Sequence, residues 1–87
     1  MTQNRKLSAM QRNALEAIAR LADAGVDVPT VRDIGPETGQ SSDGAAYTLR
    51  SLVNRGLVSL GRHDGNRYGY KLTPAGAGMA NPPQVSS

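Results

Sequence analysis

The chain lacks the residues on which several classes of site depend. Its 87 residues include no Cys, no Trp and no Phe, one His and three Tyr. Without Cys there is no disulfide framework, thiolate metal site or cysteine nucleophile. A single His, with no paired carboxylates beside a plausible pocket, does not assemble a catalytic centre. We therefore expect a protein that is not an enzyme and that uses no cofactor and no metal.

Long apolar runs are also missing. Nowhere do about 18 apolar residues follow one another, as a helix that crosses a bilayer requires. The N-terminus, MTQNRKLSAMQ, has no apolar stretch of the kind found in secretory signals. We expect a cytoplasmic protein with no membrane contact.

The residues that are present describe a small aliphatic domain with a basic balance. Ten Lys and Arg stand against seven Asp and Glu, for a formal net charge of +3. Residues 57–87 hold three of the basic residues and one acidic residue. This balance mildly favours a polyanionic partner, but an ordinary solubilising surface charge explains the total equally well.

The first half of the chain predicts two helices with a short strand between them. Ser8 and Gln11 have the spacing of a capping box, and an apolar stripe follows as far as Gly25. Residues 26–28 alternate as a short strand that ends at Pro29. A brief second helix is expected from Thr30, limited to about one turn by Gly35-Pro36. An irregular or second short turn then follows and ends at Gly39.

The third predicted helix, at about residues 41–55, has one apolar side and one polar side. Its apolar positions are Ala45, Leu49, Leu52 and Val53. The polar positions recur at helical spacing and form one outward ridge, which consists of Asp43, Tyr47, Arg50, Ser51 and Asn54. On periodicity alone this ridge is equally consistent with a solvated helix face.

Two alternating segments after Gly56 predict a β-hairpin. An Asp-Gly signal at residues 64–65 marks its turn, and Arg62, His63 and Arg67 cluster at its tip. This tip, about residues 61–67, is called the wing. Tyr68 and Tyr70 are expected to pack against the first helix rather than to stack on bases, and His63 has no second His or Cys with which to hold a metal.

These elements predict an α+β fold: a winged helix-turn-helix with three helices and a small antiparallel sheet that carries a β-hairpin wing. The expected domain is 7–76, between a flexible N-terminus (1–6) and a disordered C-terminal tail (77–87). In such a fold the third helix fits the major groove of double-stranded DNA, and the wing lies along the backbone or in the minor groove.

The side chains suit these roles. Arg50 is expected to reach guanine or a phosphate, and Asn54 a base edge or a phosphate. Ser41 and Ser42 suit a phosphate at the helix start, while Arg62 and Arg67 suit a narrow minor groove. Asp43 repels phosphate unless it caps the helix or accepts a hydrogen bond from cytosine.

Two stretches resemble known DNA-binding families. The segment LRSLVNRGLVSLGRHDGNRYGYKLTPAG resembles the end of a MarR/PadR-type winged-helix regulator, and LSAMQRNALEAIARLADAGVDVPTVRDIG is similar to the opening of the LexA DNA-binding domain. The resemblance implies wing contacts from Arg62 to Arg67 and base-edge contacts from five residues of the third helix, which are Ser41, Asp43, Ala46, Tyr47 and Arg50. A homodimer is compatible with it, through a surface that the sequence does not identify.

The expected function is a small sequence-specific DNA-binding protein, such as a transcriptional regulator. The alternative is a winged helix that binds another protein, or an accessory factor in recombination, since winged helices serve both purposes. Modest net charge, the acidic Asp43 and a second helix broken at Gly35-Pro36 favour this alternative.

Overall fold

The computed structural model describes residues 7–64 and 67–80, which form four helices and one β-hairpin. The helices are α1 (Ala9–Asp23), α2 (Val31–Thr38), α3 (Ser42–Asn54) and α4 (Pro74–Ala80), and the strands are β1 (Val58–Asp64) and β2 (Arg67–Leu72). The strands run antiparallel, with Val58 opposite Leu72 and Arg62 opposite Tyr68. The predicted α+β winged-helix architecture is confirmed, with four helices instead of three.

The limits of α1 follow its sequence signals. The Ser8 hydroxyl accepts a hydrogen bond from the backbone N–H of Gln11 at 3.1 Å, and the Gln11 side chain accepts one from the N–H of Ser8 at 3.0 Å. The predicted capping box is therefore confirmed. After Asp23 the chain turns through Gly25, whose φ of 100° lies in the region that favours glycine.

The second helix is longer than its sequence predicts. Instead of one turn followed by an irregular segment, α2 continues without a break through Pro36 to Thr38 and ends at Gly39, which is left-handed with φ 73°. Pro36 removes only the hydrogen bond that its own N–H would have given to the carbonyl of Arg32. A capping box between Thr30 and Asp33 stabilises the first turn of the helix.

The prediction of a short strand at residues 26–28 is wrong. This segment lies beside β2 without being assigned to the sheet, and the backbone N–H of Tyr70 donates to the carbonyl of Pro29 at 2.9 Å. Pro29 has no N–H to return, so the pairing cannot continue there as a ladder. The approach is nevertheless very close, because a Cβ on Gly69 would lie 2.7 Å from the carbonyl oxygen of Pro29.

The sequence also underestimates α4. The Thr73 hydroxyl accepts a hydrogen bond from Gly76 N–H at 3.0 Å and donates one to Gly56 O at 2.7 Å, which fixes the start of the helix. Gly76 is required for close packing, since a Cβ there would collide with the Leu57 carbonyl. The helix continues to Ala80, so residues 77–80 of the predicted tail are helical. Residues 1–6 and 81–87, the other segments predicted to be unstructured, lie outside the described residues.

The core between these elements is aliphatic. Each of α1, α2, α3 and β1 contributes to its largest fully buried hydrophobic side chains. These are Leu15, Ile18, Ile34, Leu49, Leu52 and Val58. Tyr70 and Leu72 pack against this core from β2. None of the helices in residues 7–64 and 67–80 is long and apolar enough to cross a membrane.

Candidate nucleic-acid interface

Side-chain hydrogen bonds around Gln40 fix the start of α3 to the end of α2. The Gln40 amide nitrogen donates to the Thr48 hydroxyl at 3.1 Å, and Thr48, only 7% exposed, donates to the carbonyl of Gly44 at 3.1 Å. The Thr38 hydroxyl lies 3.2 Å from the Gln40 amide oxygen. This arrangement, called the Gln40 network, adds a polar contact between the two helices to the apolar packing of Ile34 against α3.

The other end of α3 is attached to α1. The Gln11 amide nitrogen donates to the Ser51 hydroxyl at 2.7 Å, and the Arg55 guanidinium donates to the Gln11 amide oxygen at 2.9 Å. Ser51, which was predicted to belong to the outward ridge, therefore contacts α1. The ridge is narrower than its periodicity indicates, because the hydroxyl of Ser51 lies at its edge and finds a partner on the neighbouring helix.

Four side chains remain on the outward face of α3, and all four residues are exposed: Asp43, Tyr47, Arg50 and Asn54. These four residues are called the α3 ridge. Tyr47 is 77% exposed and stands clear of the core. Ala46 is half-buried at the flank of the ridge, and Ser42 is exposed in the first turn. The structure thus brings the predicted base-contacting residues of α3 onto one surface.

The start of α3 distinguishes Ser41 from Asp43. The Ser41 hydroxyl accepts a hydrogen bond from Gly44 N–H at 3.2 Å and is the cap of the helix. Asp43 is not the cap, but it lies in the first helical turn, where the helix dipole stabilises a carboxylate. The ridge therefore carries one acidic and one basic side chain, Asp43 and Arg50.

The exposed part of the hairpin pairs an arginine with an aromatic ring. The guanidinium carbon of Arg62 lies 5.9 Å from the ring centroid of Tyr68, directly across the two strands. Tyr68 is 62% exposed, so the expectation that it packs against the first helix is wrong. Tyr68 and Tyr70 share one face of β2, but only Tyr70 lies near enough to the base of the hairpin to reach the core.

The other residues of the hairpin include one exposed leucine and two predicted DNA contacts. Leu60 is 60% exposed on β1, opposite Tyr70, where sequence alternation alone predicts a core position. The side chains of His63 and Arg67, both predicted to contact DNA, lie outside the described part of the chain. Their contribution to the interface stays a prediction.

A cleft separates the first turn of α2 from the hairpin. It has a volume of about 350 Å³ and is lined by Thr30, Val31, Arg32, Tyr68 and Tyr70. Arg32 is exposed there. The sequence gives no signal for this cleft, because Arg32 and Tyr68 are 36 positions apart and meet only through the folding of the hairpin onto residues 28–29.

Solved structures of winged-helix regulators have the same fold. MepR from Staphylococcus aureus, a transcription regulator of the multidrug efflux pump MepA, shares 20% identity with a TM-score of 0.71, over 86% of this chain and 53% of MepR. ZitR from Lactococcus lactis, a zinc-responsive MarR family member, shares 22% identity with a TM-score of 0.71, over 90% of this chain and 51% of ZitR.

A third similar structure is BpsR from Bordetella bronchiseptica, whose DNA binding is regulated by 6-hydroxynicotinic acid. It shares 23% identity with a TM-score of 0.70, over 91% of this chain and 58% of BpsR. MepR has also been solved as a complex with DNA. No family model and no curated protein sequence matches the chain.

The chain spans about half the length of the solved structures it matches. At identities of 18–23%, these matches establish the fold. The chain is a winged helix of the kind found in MarR-family regulators.

Proposed function

We propose that this chain is a sequence-specific double-stranded DNA-binding protein that regulates transcription. The observation that carries the proposal is the exposed α3 ridge, on a helix that is hydrogen-bonded to Gln40 and to Gln11, beside a hairpin that presents Arg62. The existence of a DNA complex of MepR, which has the same fold, supports it. On this proposal α3 enters the major groove and the wing contacts the backbone or the minor groove.

The ridge residues are assigned by their chemistry. Arg50 donates to guanine O6 and N7 or to a phosphate, and Asn54 contacts a base edge or a phosphate near the end of the helix. Tyr47 offers an apolar ring and a hydroxyl, while Ala46 offers a methyl group. Ser42 and the backbone at the start of α3 contact a phosphate.

The wing supplies positive charge with less geometric constraint. Arg62 is exposed and projects from an element that contributes few residues to the core. His63 and Arg67 are assigned to the same contact. Such side chains bind phosphates or a narrow minor groove, and this binding depends little on the base sequence.

The test begins with selection of preferred duplexes from a random pool, followed by measurement of affinity by fluorescence anisotropy over a range of salt concentrations. Arg50→Ala should reduce discrimination between selected and scrambled duplexes by about 1–3 kcal/mol. Arg62→Ala should weaken binding to every duplex and lower the magnitude of the salt slope by about 1.

Arg12→Ala provides the matched control, because Arg12 is an exposed arginine on the outward side of α1. It should leave discrimination and the salt slope unchanged. The proposal fails if the wild-type chain binds no duplex at low salt.

A second candidate function is a winged helix that binds another protein. The observation in its favour is the exposure of Leu60 and Tyr68 on one face of the hairpin, since exposed apolar side chains suit a protein partner. A partner that binds with equal strength at low and high salt, and in the presence of excess DNA, would support this function over the first.

A further inference from the structure

The cleft between α2 and the hairpin brings together side chains that none of the sequence patterns connects. Arg32 and Tyr68 line its two walls, and the guanidinium of Arg62 approaches the Tyr68 ring. Arg32, Tyr68 and Arg62 are together called the α2–wing cluster. All three residues are exposed, so they are accessible to a ligand as large as a nucleic acid.

Two acidic side chains that the structure describes lie near the cluster: Asp33 at the start of α2, and Asp27, which shares a cavity with Arg62. The Asp33 carboxylate accepts hydrogen bonds from the backbone N–H of Thr30 at 2.9 Å and from its hydroxyl at 3.2 Å. Asp27 lines a separate cavity, with Gly25, Val26, Val28 and Arg62. Among the described residues that line the cleft, Arg32 carries a charge, and its guanidinium favours an anionic ligand.

The side chains, and not the end of α2, give the cleft this character. Asp33 already fills the first turn of α2 as part of the capping box, so the helix end is not available to an anion. Arg32 offers a planar fork of donors that matches phosphate oxygens, and the Tyr68 hydroxyl adds a donor. The contact between Arg62 and the Tyr68 ring limits the orientations of both side chains.

We propose that the α2–wing cluster binds a backbone phosphate of duplex DNA, as a contact separate from the base-reading surface of α3. This inference rests on the proposed function and extends it to α2. Arg32 makes the phosphate contact and Tyr68 forms the wall between the two arginines. Arg62 links the cleft to the part of the wing already assigned to DNA, so the phosphate bound here belongs to a strand that the wing follows.

The experiment compares Arg32→Gln, Arg32→Lys and Arg12→Gln with the wild-type chain. Each is titrated against one selected and one scrambled duplex at several salt concentrations. Arg32→Gln removes the charge but keeps most of the length, while Arg32→Lys keeps the charge and loses the fork. Arg12→Gln removes an arginine from the outward side of α1. Thermal melting of each variant verifies the fold, which should hold because Arg32 and Arg12 are exposed.

Arg32→Gln should lower the affinity for both duplexes equally, by about tenfold, because it removes one charge-assisted hydrogen bond. The magnitude of its salt slope should fall by about 1. Arg32→Lys should retain the wild-type slope, and Arg12→Gln should match the wild type in both measurements.

Three results would overturn the inference. If Arg32→Gln and Arg12→Gln change the affinity and the salt slope by the same amounts, Arg32 makes no special contact. A loss of preference for the selected duplex with an unchanged slope would place Arg32 on a base edge. If the wild-type chain binds neither duplex, the proposed function itself is wrong. If the wild-type chain binds DNA and Arg32→Gln changes neither affinity nor salt slope, only the proposed phosphate contact of the cleft is wrong.

Discussion

The α3 ridge and the hairpin differ in how the fold holds them. One hydrogen bond links Gln40, in the turn after α2, to Thr48 in the middle of α3, and another links Gln11 of α1 to Ser51 near the end of α3. The hairpin is held at its base, where Val58 is buried, while its outer part leaves Leu60 and Tyr68 exposed. The rigid element carries balanced charge and the less restrained element carries Arg62. This difference suits α3 for choosing a sequence and the wing for attraction to DNA of any sequence.

The largest expected effect tests whether the hairpin depends on residues 28–29. Gly69→Ala would place a Cβ against the backbone oxygens of Val28 and Pro29, which cannot move as a side chain can. We expect the free energy of unfolding to fall by about 3 kcal/mol, measured by urea denaturation.

Gly78→Ala is the control for this substitution, because a Cβ there meets no atom within 4 Å. It should leave stability unchanged or raise it by about 0.5–1 kcal/mol, since alanine favours a helix over glycine. Equal effects of the two substitutions would mean that the contact of Gly69 with residues 28–29 does not hold the hairpin in place.

A smaller effect is expected from Thr48→Val, which breaks the Gln40 network without changing side-chain volume greatly. The Gln40 amide would lose its acceptor in a part-buried site, which costs about 2 kcal/mol. Because α3 would then be held less firmly, the difference in affinity between selected and scrambled duplexes should become smaller. The salt slope should stay constant.

Ser59→Ala, which removes an exposed hydroxyl from β1, should alter stability by no more than about 0.5 kcal/mol. If Thr48→Val leaves discrimination intact, α3 does not need the Gln40 network to keep its orientation.

The smallest effect concerns the charge of the ridge. Asp43→Asn removes a carboxylate that repels phosphates, and affinity for all duplexes should rise by at most about fivefold, from ~1 kcal/mol of repulsion. The same change should lower the free energy of unfolding by about 0.3–1 kcal/mol through the dipole of α3. Glu16→Gln on α1 is the charge-matched control, and affinity that falls in Asp43→Asn would instead assign Asp43 to a base contact.

The limits of the helices could be read largely from single residues. Ser8, Gly25, Gly39 and Gly56 each mark an end that the structure confirms, because capping and left-handed turns depend on neighbours in the sequence. Pro36 was given too much weight, since one lost hydrogen bond did not end a helix with a strong cap. The sequence gives no sign that Gly76 is needed for the close approach of α4 to Leu57.

The contacts between elements could not be read in the same way. The Gln40 network needs Thr38 and Thr48 to meet across a turn, and no periodicity marks such a meeting. Alternation placed Tyr68 and Tyr70 correctly on one face of β2 but gave no measure of how far the hairpin projects beyond the core. The α2–wing cluster was missed for the same reason, because it joins residues from distant parts of the chain.

The link from Gln11 to Ser51 and Arg55 also determines the path of the chain around the interface. Ser8 is hydrogen-bonded to Gln11, which binds Arg55 directly, so the start of α1 lies beside the C-terminal end of α3. Ala80 instead lies in a groove with Glu16 and Asp23, farther along α1. A fluorophore placed beside Ala80 should therefore leave the reading surface clear.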